Sequence, residues 1–300
     1  MGLVQKLEEV NQDGTTDKLK IAVVKAANEE VLKSVKRAID KEAVEAILIG
    51  DQEKIKKMSQ ELSIDSEKIE IIDESDDKKA AAKGVELVRD EKAGALMKGF
   101  IGTGDLLRAV VNKETGIRAS KLLSHVAVIY SPTLERLIAV TDGGMVVQPD
   151  KEELKTIIEH GVEVMQSVKD EPAKVALLSA SENVMKASDA SVWSKELTDE
   201  LVDEDYLVEG PISLDLSLDP EIAQEKKYDG KIQGDADIIV TPDIVSGNSL
   251  SKSLLMFGGA KMAGLIIGAT VPIILTSRSS SSDEKYASIL LAQQVMQGKR

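Results

Sequence analysis

Residues 20–50 read KIAVVKAANEEVLKSVKRAIDKEAVEAILIG, and this stretch decides the fold. Ile21–Ala27 and Val44–Gly50 are almost continuous runs of Val, Ile, Leu and Ala, which is typical of strands buried on both faces. Asn28 stands where a helix between the two strands needs an N-cap. A strand, a helix and a second strand in this order predict a parallel pair joined by a right-handed crossover.

The same alternation continues along the chain. Asp51 and Asp150 are further candidate N-caps, and Glu153 completes a capping-box-like pair with Asp150. The other predicted strands are Ile69–Asp73, Gly94–Lys98, Val126–Tyr130, Leu137–Thr141, Val175–Ser179, Ile238–Thr241, Gly264–Ile267 and Ile273–Ser277. The sequence therefore predicts an α/β protein with parallel sheets, in which ligands bind beyond the carboxyl ends of the strands.

Composition excludes several classes of function. Of the 300 residues 42% are hydrophobic but only 2% are aromatic, so aliphatic side chains must fill the core. The net charge of −14 argues against binding to nucleic acid or to anionic lipid. Cysteine is absent, which excludes disulfides and a cysteine acyl-enzyme. The first residues lack the apolar core of a signal peptide, and the longest apolar run, Met262–Thr276, is too short to span a bilayer, so we expect a cytoplasmic protein.

The first stretch that can carry chemistry is ALMKGFIGTGDLLRAVV, residues 95–111. A strand ends at Lys98, a glycine-rich turn begins at Gly99, and a helix begins near Thr103. Backbone N–H groups at a helix N-terminus bind anions, and Lys98 and Arg108 can add positive charge. A tight turn without a ligand is the alternative explanation of the same glycines.

The second stretch is VPIILTSRSSSSDEKYASILLA, residues 271–292. A buried strand delivers Ser277 and Arg278 to its carboxyl end, where Arg278 can bind phosphate through two parallel hydrogen bonds. Asp283 and Glu284 are near enough in sequence to reach the same site. The alternative is a solvated serine loop that caps the final helix, with both acids near the positive end of that helix.

Two further turns follow predicted strands. Asp142 begins a DGG turn, and Asn248 lies in the turn PDIVSGN, but turn and N-cap chemistry explains both. The two histidines, His125 and His160, lie near no clear nucleophile in the sequence. We therefore predict structural roles for both histidines and neither a Ser-His-Asp triad nor a metal cluster.

Taken together, these stretches resemble the phosphate acetyl/butyryltransferase family. The resemblance covers nearly the whole chain from about residue 20, in the order ALMKG, TGDLLRAV, AVTDGGMVVQPD, KVALLSASENV, VEGPISLDLSLDPEIA, ADIIVTPDIVSGNSLSKSL and PIILTSRSSSSDEK. Met97–Gly99 and the serines after Arg278 are more similar to the butyryl branch than to the acetyl branch. A basic segment that precedes the phosphate turn in the acetyl branch is missing here, so the coenzyme A contacts of that branch do not transfer wholesale.

The resemblance implies an α/β fold of two three-layer α/β/α lobes with a cleft between them, similar to isocitrate and isopropylmalate dehydrogenases. Residues 1–135 plus 277–300 would form the first lobe, with the phosphate turn, the arginine and the acid. Residues 136–276 would form the second lobe, on the coenzyme A and acyl side of the cleft. It also implies a homo-oligomer, and its acyl phosphate product suggests coupling to an acyl kinase.

The implied reaction is that of a phosphate butyryltransferase. An acyl-CoA, with a butyryl or similar short or branched chain, and phosphate give acyl phosphate and CoA by direct transfer in a ternary complex. Coenzyme A thioester is then a substrate, and neither a tightly bound cofactor nor a metal is required. The preferred acyl chain stays open, because one methylene in an apolar pocket changes discrimination by only about 1–3 kcal/mol.

The resemblance also implies roles for individual residues. Arg278 would bind phosphate and stabilise the tetrahedral oxyanion, assisted by a hydrogen bond from Ser277. The catalytic acid of the family lies six positions after the arginine, which is Glu284 here, while Asp283 is one residue short, so the choice between them stays open. That acid would be the general base for the CoA thiol in the reverse direction. The implied phosphate contacts are Lys98, Gly99, Thr103 and Arg108, and the implied coenzyme A contacts, on the second lobe, are Asn248 and Gly268.

Other interpretations remain open at this point. Within the same chemistry, the chain could be a phosphate acetyltransferase or an acyl-carrier-dependent phosphate acyltransferase. From another class, it could be a non-catalytic regulatory protein that binds coenzyme A or phosphate. A nicotinamide dehydrogenase of similar fold is disfavoured, because the sequence shows no acidic metal cluster.

Overall fold

A computed structural model describes residues 2–12, 18–202 and 204–298. The chain forms two compact units. The N-terminal unit comprises Val4–Leu123 and Ala263–Arg300, and the central unit consists chiefly of Ser124–Met262. The resemblance implies lobe boundaries after residues 135 and 276, whereas the units divide after residues 123 and 262.

The N-terminal unit contains a sheet of six strands in the order β3-β2-β1-β4-β11-β10. They are β1 (Leu19–Val24), β2 (Val44–Gly50), β3 (Ile69–Asp73), β4 (Ala95–Lys98), β10 (Lys261–Ile267) and β11 (Ile273–Ile274). The pairs from β3 to β11 are parallel, and β10 runs antiparallel to β11. The predicted parallel sheet is therefore confirmed except at β10, where a short connection replaces a helical crossover.

The helices of this unit pack against its strands or against one another. They are α1 (Leu3–Gln12), α2 (Glu29–Asp40), α3 (Gln52–Glu61), α4 (Asp77–Arg89), α5 (Thr103–Val110) and α11 (Ser282–Gly298), with a 3-10 turn at Ser66–Lys68. Successive residues Ile21, Ala22, Val23 and Val24 of β1 are all fully buried. Since alternate side chains of a strand point to opposite faces, both faces of the sheet are covered, as expected for three layers. Asn28 and Asp51 cap α2 and α3 as predicted.

The strands of the central unit follow one another in the order β5-β6-β9-β7-β8. The strands are β5 (Ser124–Ser131), β6 (Arg136–Thr141), β7 (Lys174–Leu178), β8 (Leu207–Ile212) and β9 (Ile238–Val240). The helices are α6 (Lys151–Gln166), α7 (Asp189–Glu200), α8 (Leu214–Leu218), α9 (Pro220–Glu225) and α10 (Ile244–Met256). The capping box of Asp150 and Glu153 at the start of α6 is confirmed.

The pairing of strands explains where the units divide. β5 and β6 form an antiparallel hairpin, with Ile129 opposite Ile138, so this pair lies whole in the central unit. β11 pairs with β4, with Ile274 beside Met97, so β11 belongs to the N-terminal unit. The assignment of functions to two lobes stays a prediction.

The sequence missed one strand, β8. Its residues LVEGPI include Gly210 and Pro211, which normally disfavour a strand. β8 is the last strand of the central sheet and pairs only with β7, an edge position at which proline is tolerated. A Cβ on Gly210 would lie 2.5 Å from the Cβ of Leu177, so glycine allows the close approach of the two strands.

Candidate active site

The two predicted chemical stretches meet in the N-terminal unit. β4 and β11 are parallel neighbours, so the chain leaves both strands at the same edge of the sheet. The loop after β11 carries Arg278, whose guanidinium carbon lies 5.8 Å from the ring centroid of Phe100 in the glycine-rich turn. This separation is within the range of a cation–π interaction. Residues nearly 180 positions apart in sequence therefore form one polar edge.

Lys98 is the buried cation of this edge. It is the last residue of β4 and only 4% exposed. Burial, followed by the positive charges of Arg278 and Lys285, lowers the pKa of Lys98. Within residues 2–12, 18–202 and 204–298, no hydrogen bond or salt bridge joins Lys98 to a carboxylate. A buried charge without a partner is costly, and an anion bound here would remove that cost.

Gly99 has a steric role in the turn. Its N–H donates to the carbonyl of Val24 at 2.8 Å, and the N–H of Phe100 donates to the carbonyl of Lys25 at 2.8 Å. A Cβ on Gly99 would lie 2.3 Å from that carbonyl oxygen of Lys25. The turn is thus tied to the end of β1, and the N–H of Gly99 is already used inside the protein.

The N-terminus of α5 offers the donors instead. Gly102 is the N-cap and makes no side-chain cap, and Thr103 and Gly104 are both exposed in the first turn. Among the described hydrogen bonds, the N–H groups of Thr103 and Gly104 have no acceptor. Asp105 is an acid in this first turn, and one of its carboxylate oxygens would lie 3.1 Å from a Cβ placed on Gly102. An anion bound at this helix end would therefore meet the unpaired N–H groups of Thr103 and Gly104, and it would be repelled by the carboxylate of Asp105.

Arg108 is directed elsewhere. Its guanidinium donates to Asp105 at 2.8 Å, and its side chain is 69% exposed. It lines a groove of α4 and α5 together with Lys78 and Arg89. No hydrogen bond or ion pair in the described part of the chain joins Arg108 to Lys98 or Arg278. Arg108 thus neutralises Asp105, and its predicted contact with phosphate stays a prediction.

The loop after β11 is ordered by its own side chains. The hydroxyls of Ser277 and Ser279 lie 2.9 Å apart. Glu284 accepts hydrogen bonds from the N–H of Ser281 at 3.0 Å and from its hydroxyl at 3.3 Å, while the N–H of Glu284 donates back to that hydroxyl. This is a capping box at the start of α11. Asp283 instead accepts a 2.8 Å hydrogen bond from Arg37 of α2. Both candidate acids therefore have structural partners, as the helix-cap alternative predicts.

The predicted coenzyme A contacts lie in different units. Asn248 is inside the first turns of α10, not in the turn before it, and its amide donates to the carbonyl of Gly143 at 2.9 Å. Gly268 follows β10 and lies in the N-terminal unit, whereas the predicted second lobe extends to residue 276. The pairing of β10 with β11 is what carries Gly268 into the N-terminal unit. Its carbonyl accepts from the N–H groups of Ala119 and Ser120.

Asp142 organises the DGG turn of the central unit. It is 2% exposed, and its carboxylate accepts hydrogen bonds from backbone N–H groups on both of its oxygens. The donors are His125 at 3.0 Å, Gly144 at 2.6 Å, Met145 at 2.8 Å and Val146 at 3.3 Å. The turn interpretation of Asp142 therefore accounts for its carboxylate.

The side chain of His160 is buried and contacts a serine. Nδ1 of His160 lies 2.7 Å from the hydroxyl of Ser124, and Ser124 is fully buried. This serine–histidine contact was not predicted, but its burial keeps a substrate away from the hydroxyl.

The described residues contain no group of three or more metal-ligating side chains. Likewise, no helix in the described part of the chain is long and apolar enough to cross a membrane.

Two residues of this edge were not predicted from the sequence. Lys285 is 3% exposed and donates to backbone carbonyls of the serine loop, and Phe100 lies under Arg278. A weak signal existed for both. Lys285 stands just before a strongly apolar helical run, and Phe100 is one of only two phenylalanines in the chain.

Comparison with solved structures supports this fold. A branched-chain phosphotransacylase from Enterococcus faecalis is 36% identical, with a TM-score of 0.82 over 92% of this chain and 99% of that chain. A putative 4-hydroxythreonine-4-phosphate dehydrogenase from Salmonella typhimurium is 14% identical, with a TM-score of 0.58 over 93% of this chain and 100% of that chain. At this low identity the second likeness concerns the fold alone, and it agrees with the expected dehydrogenase-like α/β fold.

Proteins of similar sequence also match this chain over most of its length. A phosphate butyryltransferase from Clostridium acetobutylicum is 37% identical over 277 residues, which cover 91% of this chain and 92% of that protein. A phosphate acetyltransferase from Rickettsia felis is 35% identical over 279 residues, covering 91% of this chain and 80% of that protein. The family model for phosphate acetyl/butaryl transferases matches residues 5–83 and 77–293. With this coverage, and with both of its predicted phosphate stretches meeting at one edge, the chain belongs to the phosphate acetyl/butaryl transferase family.

Proposed function

We propose that this phosphate acyltransferase moves a short acyl group between coenzyme A and inorganic phosphate. The observation that carries the proposal is the meeting of Lys98, Arg278 and the N-terminus of α5 at one edge of the N-terminal sheet. Two cations and unpaired backbone donors at a helix start suit a multiply charged anion. Phosphate is such an anion, and it is a substrate named for the relatives.

The proposed transfer is direct. A phosphate oxygen attacks the thioester carbonyl carbon, a tetrahedral oxyanion forms, and the carbon–sulfur bond breaks to release CoA thiolate. Arg278 holds phosphate and faces the developing oxyanion, Ser277 adds a hydrogen bond, and Lys98 offsets the phosphate charge. Holding the two reactants in place can supply roughly 7–11 kcal/mol of the barrier.

Glu284 is the proposed general base for the CoA thiol in the reverse direction, and Asp283 is the competing candidate. The two differ in their partners, since Glu284 caps α11 through Ser281 while Asp283 pairs with Arg37. A free thiol has a pKa of about 8.5, so a carboxylate beside the thiol assists its ionisation at neutral pH. The role fits Glu284 better, because its bonds to Ser281 keep it beside the loop that carries Arg278.

For the acyl chain we propose butyryl or a similar short or branched group. The relatives named above include a butyryltransferase and a branched-chain phosphotransacylase. Coenzyme A itself is the proposed second substrate, with Asn248 and Gly268 as candidate contacts. Thr103 and Arg108 are the remaining candidate phosphate contacts, Thr103 through its unpaired N–H.

The wider setting is also a proposal. We propose a cytoplasmic homo-oligomer that needs neither metal nor a tightly bound cofactor and binds neither nucleic acid nor membrane. An acyl phosphate product is a substrate for a kinase that makes ATP, so a coupled acyl kinase is the proposed partner in the pathway. The net charge of −14 supports the proposal that the chain does not bind nucleic acid.

The test is phosphate-dependent release of free CoA thiol from acetyl-, butyryl-, isobutyryl- and isovaleryl-CoA. We expect release only with phosphate, with the highest kcat/KM at four or five carbons. Arg278→Ala should lower kcat/KM by about a hundredfold or more, as expected for a group that stabilises transition-state charge. Arg89→Ala is the matched control, because Arg89 is an arginine of the same unit that donates to Thr115.

Three results would decide against parts of this proposal. No release with any acyl-CoA from folded protein would favour an acyl-carrier substrate or a non-catalytic role. Highest activity with acetyl-CoA would reject the proposed chain length. Near-normal activity of Arg278→Ala would reject the site.

A further inference from the structure

Lys285 occupies the inner side of the serine loop. It belongs to the first turns of α11 and is only 3% exposed. Its ammonium donates to the carbonyl of Ser277 at 3.4 Å and, over a shorter distance, to the carbonyl of Ser280. These two carbonyls lie on either side of Arg278 in the sequence. One buried ammonium thus holds both ends of the segment that presents Arg278.

The end of the same loop is held from α2. The carboxylate of Glu30 accepts a 2.8 Å hydrogen bond from the N–H of Ser282. That hydrogen bond is also the main reason why the pKa of Glu30 lies below its ordinary value. The segment between Ser277 and Ser282 is therefore fixed at its base while Arg278 itself stays exposed.

The side chain of Arg278 itself is not held by a contact as strong as these hydrogen bonds. Its contact with Phe100, at 5.8 Å, leaves the guanidinium facing solvent, and no salt bridge to it occurs among the described residues. An exposed arginine on a serine loop would sample many positions unless the backbone beneath it is fixed. The carbonyl contacts of Lys285 supply that fixation.

We propose that Lys285 is a positioning residue, which holds the Ser277–Ser280 backbone so that Arg278 is ready to receive phosphate. This inference rests on the proposed function for its phosphate role. Lysine suits the task because its ammonium has three donors and can serve two carbonyls at once. Its charge also lies close enough to influence Lys98, so the same side chain adds to the positive potential of the edge.

The first experiment reads the loop without needing activity. Trypsin cleaves after arginine, so cleavage of the Arg278–Ser279 bond, followed by mass spectrometry, reports how often the loop opens. We expect Lys285→Met to raise this cleavage rate about tenfold, and Lys285→Arg to restore a rate near that of the wild type, because arginine keeps N–H donors. Cleavage after Lys186, in an exposed loop of the central unit, is the internal control and should not change.

The second experiment reads catalysis. Lys285→Met should raise KM for phosphate about tenfold and leave KM for acyl-CoA nearly unchanged, because fewer molecules hold the binding-competent loop. Combining Lys285→Met with Arg278→Ala should cost no more than Arg278→Ala alone, since Lys285 acts through Arg278. Lys169→Met is the matched control. Lys169 is a part-buried lysine of the central unit paired with Asp237, so its loss should lower stability without changing KM for phosphate.

The outcomes separate this inference from the proposed function. Unchanged cleavage after Arg278 in Lys285→Met, or an equal loss of activity in the Arg278→Ala background, would overturn the positioning role. Failure of the wild type to release CoA would reject the proposed function, while proteolysis would still decide whether Lys285 fixes the loop. If Lys285→Met does not fold, Lys285→Gln serves instead, because glutamine is too short to bond both carbonyls and the same outcomes apply.

Discussion

The carboxylates of Asp283 and Glu284 are neighbours in sequence but differ in what they bind. Glu284 accepts from Ser281 in a capping box, and Asp283 accepts from Arg37 across to α2. A capping box tolerates glutamine in place of glutamate, whereas a general base does not. This difference separates structural and catalytic roles at the level of single residues.

We therefore expect Glu284→Gln to fold with nearly unchanged stability and to lose about a hundredfold or more of kcat in the direction from acyl phosphate and CoA. Asp283→Asn should keep most activity and lower the free energy of unfolding by less than about 1 kcal/mol, because its ion pair is exposed. Steady-state kinetics and urea unfolding measure both effects. The reverse pattern, with Asp283→Asn inactive and Glu284→Gln active, would assign the base to Asp283.

Asp142 gives a second prediction at this scale. Its buried carboxylate serves four backbone N–H groups, whereas an amide keeps one good acceptor oxygen and adds unpaired donors. We expect Asp142→Asn to lower the free energy of unfolding by about 2–3 kcal/mol, measured by urea denaturation. The matched control is Asp150→Asn, at the exposed cap of α6, where both residue types cap well and the change should stay below about 0.5 kcal/mol. Equal effects at the two sites would contradict the buried-acceptor argument.

At the scale of elements, Gly99 in the turn after β4 and Gly104 in the first turn of α5 have different roles. A Cβ on Gly99 would collide with the carbonyl of Lys25, while a Cβ on Gly104 would meet nothing within 4 Å. The first glycine lets the β4 end approach the β1 end. The second lies in the first turn of α5 and leaves open space above the helix N-terminus.

Gly99→Ala should therefore lower the free energy of unfolding by about 1–3 kcal/mol, because β1 and β4 must separate. Gly104→Ala should change it by less than about 1 kcal/mol, and in the stabilising direction, because alanine favours the helix. Urea unfolding of the two variants is the measurement. A larger loss at Gly104 than at Gly99 would show that the turn is not tied to β1 in the way described.

At the scale of the whole molecule, the charge on Lys98 links folding to pH. The pKa of Lys98 is lowered by burial and then by Arg278 and Lys285. Between this lowered value and the ordinary value of 10.5, the unfolded chain binds more protons than the folded chain. The contribution of Lys98 to the free energy of unfolding therefore rises with pH in that window, and the penalty is largest below it.

Lys98→Met should thus be more stable than the wild type at neutral pH, with the difference shrinking as the pH approaches about 10.5. The same variant should bind phosphate more weakly, because a cation of the site is lost. Urea unfolding over a pH series checks the first effect, and KM for phosphate checks the second. Lys121→Met, at an exposed position, is the control and should leave the pH dependence unchanged. A constant stability difference across the series would contradict a charged, buried Lys98.

By itself the sequence determined the α/β class, a strand at each predicted position, the caps at Asn28, Asp51 and Asp150, and the family, although β11 ends at Ile274 and not at the predicted Ser277. These follow from local rules, since periodicity, capping and contiguous motifs act over a few residues. The antiparallel pairs, the edge strand β8 and the unit boundaries depended on which strands become neighbours. No local pattern encodes that choice.

Tertiary structure alone decided how the candidate site is built. It brought Arg278 over Phe100, turned Arg108 toward Asp105, and buried Lys285 beneath the serine loop. Each of these contacts depends on side-chain direction and on packing between elements, which residue type and spacing leave undetermined. The sequence thus named the chemical groups, and the folded chain determined which of them lie together at one edge of the sheet and which pair with one another, because charge partners are chosen by distance in space.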